Sequence, residues 1–118
     1  MDRQAVLVVD DEPSIRLLCR INLELEGFDV LEAGTLAEAR AAVSSHDVSV
    51  VLLDLRIGRE TGGDLVQELR DRRPPVPVAL VTGSADVTPT DHGLADAYLQ
   101  KPFTIEALLT TVHRLAAR

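Results

Sequence analysis

Cysteine is all but missing from this sequence: Cys19 stands alone, which excludes a disulfide framework and a cysteine-built metal site. Long hydrophobic runs are missing as well. No stretch approaches the ~18 apolar residues of a membrane span, and the polar amino terminus is no signal peptide. Positive charge is scarce, with 12 Lys and Arg against 19 Asp and Glu and a net charge of −7. The clustered cations of a surface that binds nucleic acid directly are therefore not available. Repeats, low-complexity tracts and a linker able to divide the chain are lacking too. What remains is 118 residues, 46% apolar and 26% charged. That profile suits one globular domain over 1–118, with a cytoplasmic address, no membrane insertion and no further domain after the last helix.

The stretch VSVVLLDLR at residues 48–56 organises the rest. It is an apolar run that stops abruptly at Asp54, and such runs read as strands buried on both faces of a parallel sheet. Residues 5–9 (AVLVV) make a second strand of this kind, ending on Asp10, Asp11 and Glu12. Pro13 and Ser14 open a helix, with Ile15, Leu18, Cys19 and Leu23 at helical spacing and Gly27 as its stop. Leu17, Ile21 and Leu25 widen the apolar arc. Packing under neighbouring loops is the expectation for them, with a partner-docking edge as the lesser reading. Residues 28–33 suit an edge strand, and Thr35 with Glu38 forms a capping box for a helix over 36–45. Residues 58–63 (GRETGG) read as loop and 64–72 as a third helix. A strand over 78–82 ends on Thr82. The stretch 84–96 then offers Pro89, Gly93 and few apolar anchors, so any helix there is short or irregular. Residues 97–100 form the last strand, followed by Lys101 and Pro102. Thr104 caps a final helix whose inner stripe is Ile105, Leu108, Leu109, Val112 and Leu115. Five strands alternating with helices define an α/β architecture around a parallel sheet.

Ligands of such folds bind beyond the carboxyl ends of the strands. If the first and third strands are neighbours, Asp10, Asp11 and Asp54 converge there. At ~4 Å and an effective dielectric of ~20, each charged pair repels by roughly 4 kcal/mol, so a cation or a shared proton is required. All-oxygen ligands with no His or Cys beside them select Mg²⁺ or Mn²⁺. Thr82 and Lys101 arrive on two further strand ends. Carboxylate, divalent metal, hydroxyl and ammonium together make a site for a phosphoryl group. Asp54 would be its nucleophile, Lys101 and the metal would neutralise its oxygens, and Thr82 would donate a hydrogen bond. Singly, each residue has a blander reading: an Asp after a strand is commonly a cap or turn residue, and a Lys-Pro pair says little. His46, His92 and His113 are scattered and read as surface or capping groups, Cys19 as core. Arg70, Arg72 and Arg73 read as cations at a helix C-terminus.

Assembled, the segments VLVVDDEP, VVLLDL followed by TGGDL, VTG, and YLQKPF make the chain resemble the receiver domain of two-component response regulators over essentially its whole length. The resemblance implies a flavodoxin-like, doubly wound five-stranded parallel sheet in the order 2-1-3-4-5, with helices on both faces. It implies a phosphoacceptor switch. A sensor histidine kinase or a histidine phosphotransfer domain would pass its phosphoryl group to Asp54 in a Mg²⁺-dependent step, and an output protein would read the result. Such a domain catalyses its own phosphorylation and dephosphorylation and does not turn over an external substrate. By the same resemblance Asp11 and Asp54 ligate the metal directly, Asp10 does so through water, and Arg56 offers its backbone carbonyl. Thr82 closes on the phosphoryl group, Tyr98 turns inward with it, Lys101 pairs with the phosphoryl oxygens, and the Lys101–Pro102 bond is cis.

Three departures from that family pattern stand out. Gly58 occupies a position where proline is usual, which implies a looser backbone beside the metal's carbonyl ligand. Arg56, with Ser84, flanks the phosphoacceptor and bears on water access. The segment 82–98 is a few residues short, and the missing length falls on a shortened or irregular fourth helix. Two rival functions are open. A pseudo-receiver acting as a phosphorylation-independent interaction module predicts a missing acid, hydroxyl or lysine, and none is missing. A flavin or nucleotide carrier of the same fold would place Gly- and Ser/Thr-rich backbone after the first strand, where this chain places acids.

Overall fold

The computed structural model describes residues 3–83 and 95–117. Its strands in chain order are β1 (Ala5–Val9), β2 (Asp29–Ala33), β3 (Val48–Asp54), β4 (Arg56–Ile57), β5 (Glu60–Thr61), β6 (Val78–Thr82) and β7 (Ala97–Gln100). The helices are α1 (Pro13–Leu25), α2 (Leu36–Ser45), α3 (Gly63–Asp71) and the last helix, here α4 (Ile105–Ala116). Five strands form one parallel sheet in the order β2-β1-β3-β6-β7, the expected 2-1-3-4-5 once the short pair β4 and β5 is set aside. The strand order reverses between β1 and β3, the position at which this kind of sheet opens a crevice for ligands.

Strand alternation divides the apolar residues between two cores. Leu7, Val9, Val51, Leu53 and Leu80 face α2 and α3, meeting Leu36, Ala39, Val43, Leu65, Val66 and Leu69. Val6, Val8, Val50, Leu52, Ala79 and Val81 face α1 and α4, meeting Cys19, Leu23, Leu108, Val112 and Leu115. Each fully buried Leu or Val contributes ~1.5–3 kcal/mol relative to exposure, so the central strands carry most of the stability. The β1–β3 register slips between Ala5 and Val6, which makes room for Ser49 as an extra residue.

Thr35 and Thr104 cap as expected: Thr35 Oγ1 accepts from Glu38 N at 3.1 Å, and Thr104 Oγ1 from Ala107 N at 3.0 Å. Glu38 reaches back to Gly34 N at 2.8 Å, one residue ahead of the cap itself. Three expectations need correction. Leu17, Ile21 and Leu25 do not pack under loops; they are exposed, and so is Leu18. Phe28 lies just before β2, buried, its ring 5.1 Å from that of His113. Residues 58–63 are not plain loop, because β4 and β5 pair across a two-residue turn at Gly58 and Arg59. Gly58 sits at φ +60°, as the first central residue of a type II′ turn requires. Its N–H donates to Asp11 Oδ2 at 2.9 Å. Glycine here supplies an N–H to Asp11 that a proline could not donate. The shortened or irregular helix expected between β6 and β7 falls at 84–94, outside the described residues. No helix among the described residues is long and apolar enough to cross a membrane.

An ion-pair cluster ties α1 to β2. Arg20 Nε lies 2.6 Å from Glu32 Oε2 and Arg16 Nε 3.1 Å from Glu32 Oε1. The hydrogen bond from Arg20, outweighing partial burial, holds the Glu32 carboxyl below its ordinary range. A depressed carboxylate stabilises the fold above its unfolded pKa, and that stabilisation is lost as pH falls through the folded value. Glu32→Gln is expected to cost up to ~1 kcal/mol at pH 7, as measured by urea melts. The difference from wild type should shrink to nothing as pH drops below the glutamate range. A deficit that persists there would mean that packing, and not charge, is responsible.

Candidate functional site

Three strand ends meet at the carboxyl edge of the sheet, each fixed by one hydrogen bond that extends the ladder past the last paired residue. Asp10 N donates to Ala33 O at 3.0 Å, Leu55 N to Val81 O at 3.1 Å, and Lys101 N to Thr82 O at 2.8 Å. The side chains of Asp10, Asp54 and Lys101 are thereby set around one point. Lys101 Nζ lies 3.1 Å from Asp10 Oδ2 and 2.9 Å from Asp54 Oδ2. One ammonium thus bridges carboxylates 44 residues apart in sequence, counted from position 10 to position 54, and Lys101 is the only lysine in the chain.

The other carboxylate oxygens are also engaged. Asp10 Oδ1 accepts from Glu12 N at 2.9 Å and Asp54 Oδ1 from Arg56 N at 3.1 Å. Asp11 is exposed and accepts from Gly58 N, which draws the β3–β4 connection over the acidic end of β1. Thr82, 4% exposed, donates from Oγ1 to Gly83 O at 2.8 Å. Tyr98 pairs in register with Leu80 and packs, half-buried, against the α2/α3 core. The Lys101–Pro102 peptide is cis, and so is Arg73–Pro74.

Burial raises the Asp54 pKa above the usual aspartate value, against the lowering hydrogen bonds from Lys101 and the Arg56 amide; the Asp10 charge raises it further. Burial pulls Lys101 down, but its hydrogen bonds to Asp54 and Asp10 win and leave its pKa raised. A carboxyl with a raised folded pKa supports the fold at low pH and loses that support as pH rises through the folded value. Asp54→Asn is therefore expected to raise the metal-free melting temperature at pH 7, with the gain shrinking as the buffer is acidified. A lower melting temperature at pH 7 would show that Asp54 is a net stabiliser. Nearby, burial and the Asp10 charge push the Cys19 thiol up to about 11, which keeps it protonated and inert at neutral pH.

The donor chemistry suits a hard divalent cation. Asp10, Asp11 and Glu12 each offer a carboxylate oxygen, and these atoms lie within 4.8 Å of one another. No imidazole or thiolate belongs to that group, and carboxylate oxygens are the ligands Mg²⁺ prefers. Glu12 is the one member the sequence reading left out of the ligand set, although it ends the same acidic run. Asp54 stands across the Lys101 ammonium from Asp10.

A doubly wound sheet thus carries acids, a hydroxyl and an ammonium on its strand ends, the layout of a single-domain α/β receiver. The model of the response regulator receiver domain matches residues 6–113, and the chain belongs to that family. The sequence is 35% identical over 116 residues to the probable transcriptional regulatory protein TcrX of Mycobacterium tuberculosis, covering 96% of this chain and 50% of that protein. It is 36% identical over 115 residues to the transcriptional regulatory protein KdpE of the same species, covering 96% of this chain and 51% of the relative. The chain spans about half the length of these curated relatives. Among solved structures, a CheY-like receiver domain protein from Methanospirillum hungatei superposes with a TM-score of 0.88 at 26% identity, over 98% of this chain and 95% of the other. The response regulator TrrA of Thermotoga maritima, solved with Mg²⁺ and BeF, gives 0.86 at 30% identity, over 95% and 98%.

Proposed function

We propose that this domain is a phosphoacceptor switch of a two-component relay, with Asp54 as the acceptor. The observation that carries the reading is the single ammonium of Lys101 held between Asp54 and Asp10 at the strand-order reversal. An Asp54 oxygen attacks phosphorus in line. A new O–P bond forms, the P–N bond of a phosphohistidine breaks, and its electron pair returns to the imidazole nitrogen of the donor, a sensor histidine kinase or histidine phosphotransfer domain. Asp10, Asp11 and Glu12 would hold Mg²⁺, with Asp54 and the Arg56 carbonyl as the further ligands the family resemblance implies; a bound cation would supply charge neutralisation for the incoming group. Lys101 exchanges its contact with the Asp54 carboxylate for one with a phosphoryl oxygen while Asp10 keeps it anchored. The Thr82 hydroxyl gives up Gly83 O to donate to the phosphoryl group. Tyr98, on the neighbouring strand, follows the space so vacated, and the balance between two packings shifts.

The test is incubation with acetyl phosphate and Mg²⁺, read by intact mass. The wild type is expected to gain one phosphoryl group and Asp54→Asn none. Equal labelling of both would remove Asp54 from the role. No labelling of either, with any histidine kinase or small donor, would favour the phosphorylation-independent scaffold.

A further inference from the structure

Arg16 supplies none of the acids of the site, yet it holds the backbone beneath them. Its Nη1 donates to the Asp10 carbonyl oxygen at 2.7 Å and its Nε to Glu32 Oε1 at 3.1 Å. Asp10 is 2% exposed, and Arg16 is the only donor to that oxygen among the described residues. Without the guanidinium a buried carbonyl would lose its partner. The arginine is itself firmly seated, with its side chain 20% exposed. Glu32 holds one edge of the fork. Gly34 leaves open the space that Nη1 occupies, since a Cβ there would lie 3.1 Å from that nitrogen. A planar guanidinium, with donors in fixed directions, spans the two acceptors as a point-like ammonium cannot. Local structure does not ask for a cation here. Arg16 is the fourth residue of α1, close to the positive end of the helix dipole, where a cation is disfavoured. A residue set against local preference and aimed at a neighbouring main-chain oxygen marks a functional support.

The carbonyl that Arg16 grips belongs to the peptide joining Asp10 to Asp11. Asp10 N is fixed in turn to Ala33 O at 3.0 Å, so both backbone groups of Asp10 are held. The plane of that peptide sets the directions of two carboxylates. Asp10 points to Lys101 and Glu12 N, and Asp11 points to Gly58 N. We infer that Arg16 is a positioning residue for the divalent-cation site: it orients the Asp10–Asp11 peptide, and with it the acids that would receive Mg²⁺, through the main chain alone. The inference rests on the Mg²⁺ site of the phosphoacceptor reading and adds a residue to it. Two effects oppose each other when the arginine is removed. Loss of a cation near acids favours Mg²⁺ by Coulomb attraction. That gain is less than about twofold, because Glu32 already neutralises Arg16 and solvent and salt screen the remainder. Loss of orientation outweighs it, since partners that orient metal ligands are typically worth ~10–100-fold in metal affinity.

The test is a Mg²⁺ titration followed by the amide NMR signals of Asp11 and Gly58 at neutral pH. Arg16→Met keeps the apolar stem and is expected to raise the Mg²⁺ dissociation constant about tenfold. Arg16→Lys keeps the charge and a donor for the carbonyl, and should fall between wild type and Arg16→Met. Glu32→Gln breaks the same ion pair between α1 and β2 but leaves the Asp10 contact in place, so it should bind Mg²⁺ within about twofold of wild type. A fall in melting temperature shared by Arg16→Met and Glu32→Gln is structural; a split between them in Mg²⁺ affinity is not. Arg16→Met binding Mg²⁺ as the wild type does, or Glu32→Gln weakened as much as Arg16→Met, would overturn the inference and leave Asp54 as the acceptor. Should Arg16→Met fail to fold, Arg16→Lys binding no more weakly than Glu32→Gln would overturn it instead. A wild type that takes up no Mg²⁺ even at high millimolar concentration would remove the metal site itself, and the phosphoacceptor reading together with the inference.

Discussion

Lys101→Met is expected to lower the unfolding free energy at pH 7 in EDTA by about 2 kcal/mol. Removing one partner of a buried ion pair typically costs ~3–5 kcal/mol, because the charge left behind has lost its compensation. The Lys101 side chain is 24% exposed, against 3% for Asp10 and 12% for Asp54, so solvent screens part of the effect. Methionine keeps most of the stem volume, which isolates the charge. With the ammonium gone, two carboxylates on neighbouring strands face each other across the space it filled. Millimolar Mg²⁺ should then raise the melting temperature more in the variant than in the wild type, since a cation among the same acids offsets the same repulsion. Urea melts with and without Mg²⁺ decide the matter. An unchanged free energy in EDTA, or equal Mg²⁺ responses in the two proteins, would contradict the charge-compensation account.

Leu53→Ala is expected to cost about 3 kcal/mol, in the middle of the range for a large-to-small change at a fully buried leucine. The position also supports the acceptor, being the residue before Asp54 in β3. Leu53 packs so tightly on the turn before α3 that a Cβ added at Gly62 would meet Leu53 Cδ2 at 2.9 Å and Cγ at 3.1 Å. Gly62→Ala alone should therefore destabilise by ~1–2 kcal/mol through overpacking. In the double variant the new methyl enters the space the leucine vacated. The combined loss should fall short of the sum of the two single losses by at least ~0.5 kcal/mol. Strict additivity in chemical denaturation would mean that the two positions do not share that space.

Much of this arrangement is written in where apolar runs stop. Five runs bounded by turn chemistry specify a parallel sheet, and the ends at Asp10, Asp54, Thr82 and Lys101 place their polar groups on one edge, because strands running the same way end on the same side. The bridging of Asp10 and Asp54 by Lys101 is less legible, since it spans 91 and 47 residues and depends on which strands become neighbours. The β4–β5 hairpin escaped because strands of two residues are too short to show alternation, although Gly58 followed by Arg59 has the residue order of a hairpin turn. The outer leucines of α1 escaped for another reason. Helical spacing reveals two apolar arcs on that helix but cannot say which one the sheet will cover. Glu12 was visible as an acid and not as a neighbour of Asp10 and Asp11, because the turn into α1 decides whether three consecutive side chains splay or converge.

The solitary lysine has a practical corollary. Reagents that seek primary amines, whether acylating dyes, biotin esters or isotopic methylating agents, find no side chain among these 118 residues but that of Lys101. Labelling for detection or for surface immobilisation would therefore modify the acidic centre that Lys101 bridges. The same scarcity lets one methylated nitrogen serve as a spectroscopic reporter of that centre without any engineered probe.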